Sequence, residues 1–217
     1  MLHGMTKNTL MPKLCLIFLC LSMSSVVLTF AHAGLLSTSE TTPDRTNVQL
    51  YEEGIRLLGN KDYDKAIITF SQALAQGSTE IGVLVARGRA YYELHRYSEA
   101  LNDVSKALRE KPNHIYGLFL RAAIYDRSGR TLDAVKDLST VLLMDPQNVT
   151  AYGFRGAAYS TLNLWNDALS DYNRAAALGD HSHLLYKNRA VVHENLGNYD
   201  LAVGDLSRSL ELKPGDE

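Results

Sequence analysis

The feature that most constrains this chain is an internal repeat of 34 residues that runs without insertions. Each copy contains an alanine, preceded in four of the five copies by an aromatic residue three positions earlier. The alanines are Ala66, Ala100, Ala134, Ala168 and Ala202, each 34 positions from the next. Repeats of this length are single supersecondary units that bury apolar surface against their neighbours, so the sequence predicts an array of units.

Each copy reads as two helices joined by a tight turn. Aligning the copies from Asn47, Ile81, Ile115, Val149 and His183 defines 34 columns. Apolar residues recur at spacings of three and four, which predicts one buried stripe per helix. Column eight holds the small residues Gly54, Gly88, Ala122, Gly156 and Ala190, which let two helices approach closely. We expect the first helices to end near Gly129, Asn163 and Gly197. We expect Asp64, Ser98, Asn166 and Asp200 to cap the second helices.

These residues resemble the tetratricopeptide repeat (TPR) family over residues 47–214, with Pro112, Pro146 and Pro214 closing three copies. The resemblance implies an all-α fold, a right-handed α-solenoid of five antiparallel helix pairs within a domain at 47–217. The expected repeats are 47–80, 81–114, 115–148, 149–182 and 183–216. Copy one departs from the family pattern at Leu57, and copy four has Asp180 in place of proline.

A charge pattern repeats with the same period. Column seven holds Arg87, Arg121, Arg155 and Arg189, and column twenty-three holds Asp103, Asp137, Asp171 and Asp205. Copy one replaces both residues together, with Glu53 and Thr69. Joint presence and joint replacement indicate that the two residues pair within a copy. The pairs are either structural ion pairs that fix the helix register or a charged binding ladder, and we favour the structural interpretation.

The family resemblance also implies where a partner binds. In such proteins columns two, five, nine, twelve and thirteen are exposed on the concave groove formed by the first helices. Here the candidate partner-binding residues are Tyr51, Val85, Arg89, Tyr92, Tyr116, Phe119, Asp126, Arg127, Lys187 and Glu194. Exposed aromatic residues often mark binding surfaces, but Tyr116 and Phe119 are equally consistent with ordinary core positions. The groove lacks the Lys and Asn that clamp the C-terminal carboxylate of heat-shock chaperones, with Tyr51 and Ile55 in their places.

The last predicted helix carries a second candidate surface. Val203, Leu206 and Leu210 would face a neighbouring repeat that the printed sequence does not contain. An uncovered apolar stripe of this kind favours self-association or a partner.

The N-terminal residues resemble a targeting sequence. Lys7 and Lys13 precede the uncharged apolar run 14–30, and Ala31-His32-Ala33 offers small residues for cleavage after Ala33. We therefore expect a signal peptide at 1–33 and a flexible linker at 34–46. The alternative is an uncleaved anchor formed by residues 14–30, in which case the protein is membrane-attached. Either way we expect an extracytoplasmic protein, and resemblance to secreted bacterial TPR proteins favours the periplasm or secretion.

The rest of the sequence offers no sign of catalysis. It contains no glycine-rich phosphate loop or nucleophile elbow, and Cys15 and Cys20 lie within the predicted signal. His181 and His183 could reach a metal only with Asp180 as a third ligand, so we expect no metal and no cofactor. We expect His193 to make an interhelical hydrogen bond. The 22 basic and 24 acidic residues argue against nucleic-acid binding.

Three functions are consistent with these features. The first is a non-catalytic scaffold or adaptor that binds a protein or peptide in its groove. The second is a module that forms homo-oligomers through its end repeats. The third is an accessory subunit of an envelope enzyme or secretion complex. The sequon at Asn148 leaves glycosylation open.

Overall fold

The computed structural model describes residues 45–213, which form two compact units at 45–144 and 145–213. Every regular element among these residues is an α-helix. The predicted signal peptide at 1–33, linker residues 34–44 and residues 214–217 lie outside the described residues.

The unit at 45–144 contains three helix pairs. Its helices are α1 (Arg45–Gly59), α2 (Tyr63–Ala75), α3 (Ile81–Glu93), α4 (Tyr97–Glu110), α5 (Ile115–Arg127) and α6 (Thr131–Met144). α1 therefore begins two residues before Asn47, inside the segment that we expected to be linker. Each pair also packs against the next pair in this unit, α2 against α3 and α4 against α5.

The unit at 145–213 contains two helix pairs. Its helices are α7 (Val149–Thr161), α8 (Trp165–Ala177), α9 (His183–Asn195) and α10 (Tyr199–Leu212). α8 packs against α9, which joins the two pairs. Across both units the prediction of an all-α fold built from helix pairs is confirmed.

The small residues of column eight lie where the two helices of a pair approach most closely. A Cβ atom added to Gly88 of α3 would lie 2.7 Å from Cγ2 of Val104 on α4. A Cβ added to Gly156 of α7 would lie 3.0 Å from the ring of Tyr172 on α8. Both contacts join column eight to column twenty-four. The predicted role of the small residues is therefore confirmed at these positions.

The turn within each pair depends on one residue in the left-handed conformation. Gly129, Asn163 and Gly197 have φ values of 75°, 59° and 76°, as predicted. The same column holds Lys61 at 65° and His95 at 59° in the first two copies. A side chain makes this conformation costly, so these two turns carry backbone strain that glycine avoids.

The predicted caps of the second helices are wrong. α2, α4, α8 and α10 begin two residues earlier than we expected, at the aromatic residue, and their N-cap side chains accept no hydrogen bond. Asp64 and Asp200 instead lie in the first helical turn. A carboxylate there interacts favourably with the positive end of the helix dipole. Sequence spacing could not distinguish the two possible cap positions, which lie two residues apart.

The first helices of copies three, four and five do have side-chain caps. In each case the capping residue is the last residue of the preceding copy. Nδ1 of His114 accepts a hydrogen bond of 2.9 Å from the backbone N–H of Gly117. Asn148 accepts a bond of 2.9 Å from Ala151, and Ser182 caps α9. The Nδ2 atom of Asn148 donates to Asp145 at 3.0 Å. The sequon asparagine therefore serves as a helix cap.

Substitutions in the turn column should change stability in opposite directions. Lys61→Gly relieves the left-handed strain of a bulky residue, so we expect stabilisation of up to about 1 kcal/mol. Gly129→Ala introduces that strain, so we expect a loss of about 1 kcal/mol. Urea denaturation of the full chain measures both changes. If both substitutions changed the free energy of unfolding in the same direction, the column would not set the strain of the turn.

His114 should make stability depend on pH. Burial, and secondarily Lys111, lowers the pKa of its imidazole. A lowered folded-state pKa means that the contribution is present above the unfolded pKa, about 6.5, and is lost as pH falls through the folded value. His114→Asn keeps a capping oxygen, as Asn148 does in the same column, and removes the titration. We expect this variant to lose less stability between pH 7 and pH 5 than the natural chain; identical losses would contradict the assignment.

Candidate partner-binding face

The arginine and aspartate columns form ion pairs within each copy, as predicted. In every pair the guanidinium donates from Nε and Nη2 to the two carboxylate oxygens of one aspartate, at 2.7–2.8 Å. The pairs are Arg87–Asp103, Arg121–Asp137, Arg155–Asp171 and Arg189–Asp205. The arginine side chains are 18–23% exposed and the aspartates 3–10%. Such partly buried bidentate pairs are geometrically demanding and bind the two helices of a pair in one register.

Further contacts surround each pair. Nη1 of Arg87 donates to Ser71 of the preceding copy at 2.9 Å, and Nη1 of Arg189 donates to Asn173 at 3.1 Å. Two guanidinium groups lie near the ring of Tyr125, at 5.8 Å for Arg121 and 4.4 Å for Arg130. Sequence reasoning missed these partners, although the tyrosine and the second arginine recur as Tyr91 and Arg96 in copy two. Their recurrence at fixed columns was the available signal.

The hydrogen bonds to aspartate also change the pKa of the column-seven arginines. The bond to Asp137 raises the pKa of Arg121, even though partial burial opposes the charged form. The same cause raises the pKa of the other three arginines of the column. The arginines therefore stay charged and bonded to aspartate within their own copies. This geometry supports the structural interpretation of the ladder over the binding one.

Copy one and copy five differ from this scheme. In copy one Glu53 pairs with Arg56 at 2.7 Å on the helix surface, and the Thr69 hydroxyl donates to the Lys65 carbonyl. In copy five His193 replaces the tyrosine. Its Nε2 atom lies 3.9 Å from Asp205, beyond hydrogen-bond distance, and its buried Nδ1 has no partner among the described residues. The expected interhelical hydrogen bond of His193 is therefore not formed.

The candidate groove residues of the first helices lie at very different depths. We use "first-helix face" for the part of this surface on α3 and α5, namely Val85, Arg89, Tyr92, Tyr116, Phe119, Asp126 and Arg127. The buried members are Val85 (3% exposed), Arg89 (7%), Tyr92 (6%), Phe119 (4%) and Asp126 (5%). For these five residues the expected exposure is wrong. α3 and α5 are apolar around most of their circumference, and such helices bury every side.

The polar members of the first-helix face have local contacts. Nε of Arg89 lies 3.8 Å from a Glu93 carboxylate oxygen one turn along α3. Asp126 accepts a hydrogen bond of 3.3 Å from the Thr131 hydroxyl at the start of α6. The ring of Tyr92 lies 5.9 Å from the ring of Tyr97 on α4.

The other candidates remain at least partly accessible. Tyr116, Arg127 and Lys187 are half-buried, and Glu194 is exposed. Tyr51 is half-buried in the core of the first pair, with its ring 6.3 Å from that of Phe70. Burial, and secondarily Glu80, raises the pKa of the Tyr51 hydroxyl.

The predicted end face lies on α10. Val203, Leu206 and Leu210 are 63%, 44% and 45% exposed. In copy four the equivalent Leu169, Tyr172 and Ala176 belong to or pack against the core formed by that copy and copy five. The same columns are therefore covered in copy four and uncovered in copy five.

The described residues offer little to hold a metal or a small molecule. No group of three His, Cys, Asp or Glu side chains within 45–213 could hold a metal ion. A shallow cleft is lined by Arg87, Tyr91, Ser98, Glu99, Asn102 and Asp103, so it surrounds an existing ion pair. None of the ten helices of the described range has the length and apolar character to cross a bilayer.

The fold and its repeated pairs define a helix-pair repeat protein, and sequence models identify the repeat. Tetratricopeptide repeat models match residues 82–114, 119–183 and 158–217. Together these matches extend over more than half of the chain, which therefore belongs to the tetratricopeptide repeat family. Among curated proteins no sequence matches this chain.

Solved structures show the same fold at low sequence identity. MamA 41-end from Desulfovibrio magneticus RS-1 has a TM-score of 0.71 and 18% identity, covering 79% of this chain and 97% of that one. A MamA RS-1 double mutant has a TM-score of 0.73 and 17% identity, covering 80% and 98%. TTC0263, a thermophilic TPR protein in Thermus thermophilus, has a TM-score of 0.61 and 20% identity, covering 78% and 93%.

A double-mutant cycle should show that the central ion pair is a single energetic unit. Arg121→Ala leaves a buried carboxylate unpaired, and Asp137→Ala leaves a partly buried guanidinium unpaired. We expect the double variant to be more stable than the sum of the single losses indicates, with a coupling of about 1–3 kcal/mol. Denaturant unfolding of the four chains measures it. Additive losses would show that the two residues do not depend on each other.

Proposed function

We propose that this chain is a non-catalytic scaffold that holds an apolar or aromatic segment of a protein partner on the first-helix face. TPR proteins generally mediate protein–protein interaction, which supports the class of function. The observation that carries the choice of face is its composition. The half-buried Tyr116 is the aromatic residue that this face offers to a partner, and Val85, Tyr92 and Phe119 of the same two helices are buried.

The chemistry of the ligand follows from the charges that surround this face. The four arginines of column seven are bonded to aspartates of their own copies and do not present a cationic ladder. Arg127 at the rim adds a single half-buried charge. An apolar peptide with few charges therefore fits better than an acidic tail or a nucleic acid.

We place this activity outside the cytosol, in the bacterial periplasm or among secreted proteins. The sequence before Gly34 supports this location. It has two lysines, an apolar run and small residues at the expected cleavage site. Retention of residues 14–30 would make the protein membrane-attached instead.

Site-specific photocrosslinking in the native host tests the proposed face. A photoreactive phenylalanine analogue at position 116 should crosslink to one defined partner, identified by mass spectrometry. The matched control is the same analogue at Ile68, which is 58% exposed on α2. Tyr116→Ala should abolish co-purification of that partner without changing helix content. Equal crosslinking from both positions would contradict binding on this face.

A second candidate function is homo-oligomerisation through α10. The observation that favours it is the exposure of Val203, Leu206 and Leu210, in columns that are covered in copy four. Leu206→Glu should then shift the sedimentation coefficient towards that of a monomer, because it places a charge in the apolar contact. Tyr116→Ala should leave association unchanged. A natural chain that stays monomeric at high concentration would exclude this function.

A further inference from the structure

α10 carries a large share of the exposed apolar surface. Within residues 45–213, twelve large apolar side chains are exposed, and six of them belong to this 14-residue helix. Four of the six are spaced by four, three and four residues, so they lie on one side of the helix. We call these four the α10 stripe: Tyr199, Val203, Leu206 and Leu210, which are 44–66% exposed.

Copies one and four show what covers these columns elsewhere in the chain. In copy four the equivalent residues share a core with Leu185 and Val192 of α9; they are Trp165, Leu169, Tyr172 and Ala176. In copy one the equivalent residues share a core with Val83, Ala86 and Ala90 of α3; they are Tyr63, Ile67, Phe70 and Leu74. In both copies the cover is therefore the apolar side of the next first helix.

α1 of a second copy does not offer such a side. The covering residues of α3 occupy columns three, six and ten, and α1 has Gln49, Glu52 and Arg56 in these columns. All three side chains are exposed. Stacking the α10 stripe on them would remove two charges and an amide from water without polar partners, which is unfavourable. A head-to-tail contact that continues the repeat therefore does not fit.

The α10 stripe is complementary to the same stripe of a second copy. In an antiparallel arrangement Tyr199 lies opposite Leu210 and Val203 lies opposite Leu206, so each apolar residue meets another. The four-three spacing is that of a seam between two paired helices. Asp205 is bonded to Arg189, and the exposed Arg208–Glu211 pair lies on another side of α10. These charges therefore do not oppose the contact.

The charges at the two ends of the stripe favour the antiparallel direction. Asp200 is exposed in the first turn of α10, and Lys213 is exposed directly after its last residue. Antiparallel copies bring Asp200 of one copy near Lys213 of the other, and two-fold symmetry repeats this contact at the opposite end. Parallel copies would instead place like charges side by side, which is unfavourable.

We propose that α10 pairs with α10 of a second copy about a two-fold axis, with the helices antiparallel and the α10 stripes in contact. This inference rests on the second candidate function, homo-oligomerisation through α10, and adds the occupant and the geometry of the contact. A two-fold contact is closed, so the assembly ends at a dimer. Two helices that are each about 21 Å long form a small interface, so we expect micromolar affinity.

Reversing the end charges tests the antiparallel contact. Asp200→Lys and Lys213→Asp each replace attraction by repulsion at both ends of the dimer. Each single variant should therefore dimerise about three- to tenfold more weakly at low salt. An equimolar mixture of the two single variants should recover the natural affinity, because every Lys then meets an Asp. Sedimentation equilibrium of the full chains measures the dissociation constants, and circular dichroism checks their helix content.

The matched control is Gln49→Glu, which adds a charge to the exposed side of α1 and should leave the dissociation constant unchanged. Weaker association of this variant would identify α1 as the occupant and overturn the two-fold contact. Single end-charge variants that dimerise as tightly as the natural chain would overturn it as well. A mixture that dimerises no better than the single variants would also contradict the antiparallel geometry.

The proposal and the function on which it rests fail in different ways. A natural chain that stays monomeric at high concentration refutes both. If Leu206→Glu weakens association but the end-charge variants do not, self-association through α10 stands and only the antiparallel contact is refuted.

Discussion

The bidentate bond between an arginine of the first helix and an aspartate of the second is the interaction on which four of the five described helix pairs depend. It joins columns seven and twenty-three in four copies, at 2.7–2.8 Å and with little exposure of the carboxylate. A planar guanidinium and a planar carboxylate fit in few relative positions, so the bond selects one register of the two helices. That register places Gly88 opposite Val104, where only a small residue fits.

The same interaction shapes the surface that remains for binding. The column-seven arginines are bonded to aspartates of their own pairs, and four of the seven residues that define the first-helix face are apolar or aromatic. Ion pairs whose two residues bond to each other fix the register of the helices and do not add affinity for a ligand. Replacing only one residue of such a pair leaves the other as an unpaired buried charge. The charged columns thus hold the helix pairs in register, and the proposed function assigns recognition to the apolar columns of α3 and α5.

Much of the fold could be predicted from the sequence because its signals repeat. The 34-residue period and the small column eight each appear in several copies, and the joint replacement at Glu53 and Thr69 stands out against the four copies that keep the pair. The helix starts could not be predicted to one residue. Asp64 and Asp62 are both reasonable caps by spacing, and α2 begins at Tyr63, directly after Asp62.

The depth of the candidate site was the least predictable feature. Columns two, five, nine, twelve and thirteen identify a face of a helix, but exposure depends on what else covers that face. Val85 and Phe119 are buried although their columns match the binding columns of the family. The hydrogen bonding of His193 was equally hard to predict. The sequence shows that histidine replaces tyrosine, but it does not show that Nε2 of His193 lies 3.9 Å from Asp205.

Nuclear magnetic resonance of the arginine side chains tests the central interaction most directly. If each of the four arginines bonds to aspartate within its helix pair, the Nε–H groups of Arg87, Arg121, Arg155 and Arg189 should give sharp, slowly exchanging signals that persist at high salt. The exposed Arg56, paired with Glu53 on the helix surface, should exchange rapidly under the same conditions. Rapid exchange of all five signals would contradict the account, because it would show that the column-seven arginines are solvated.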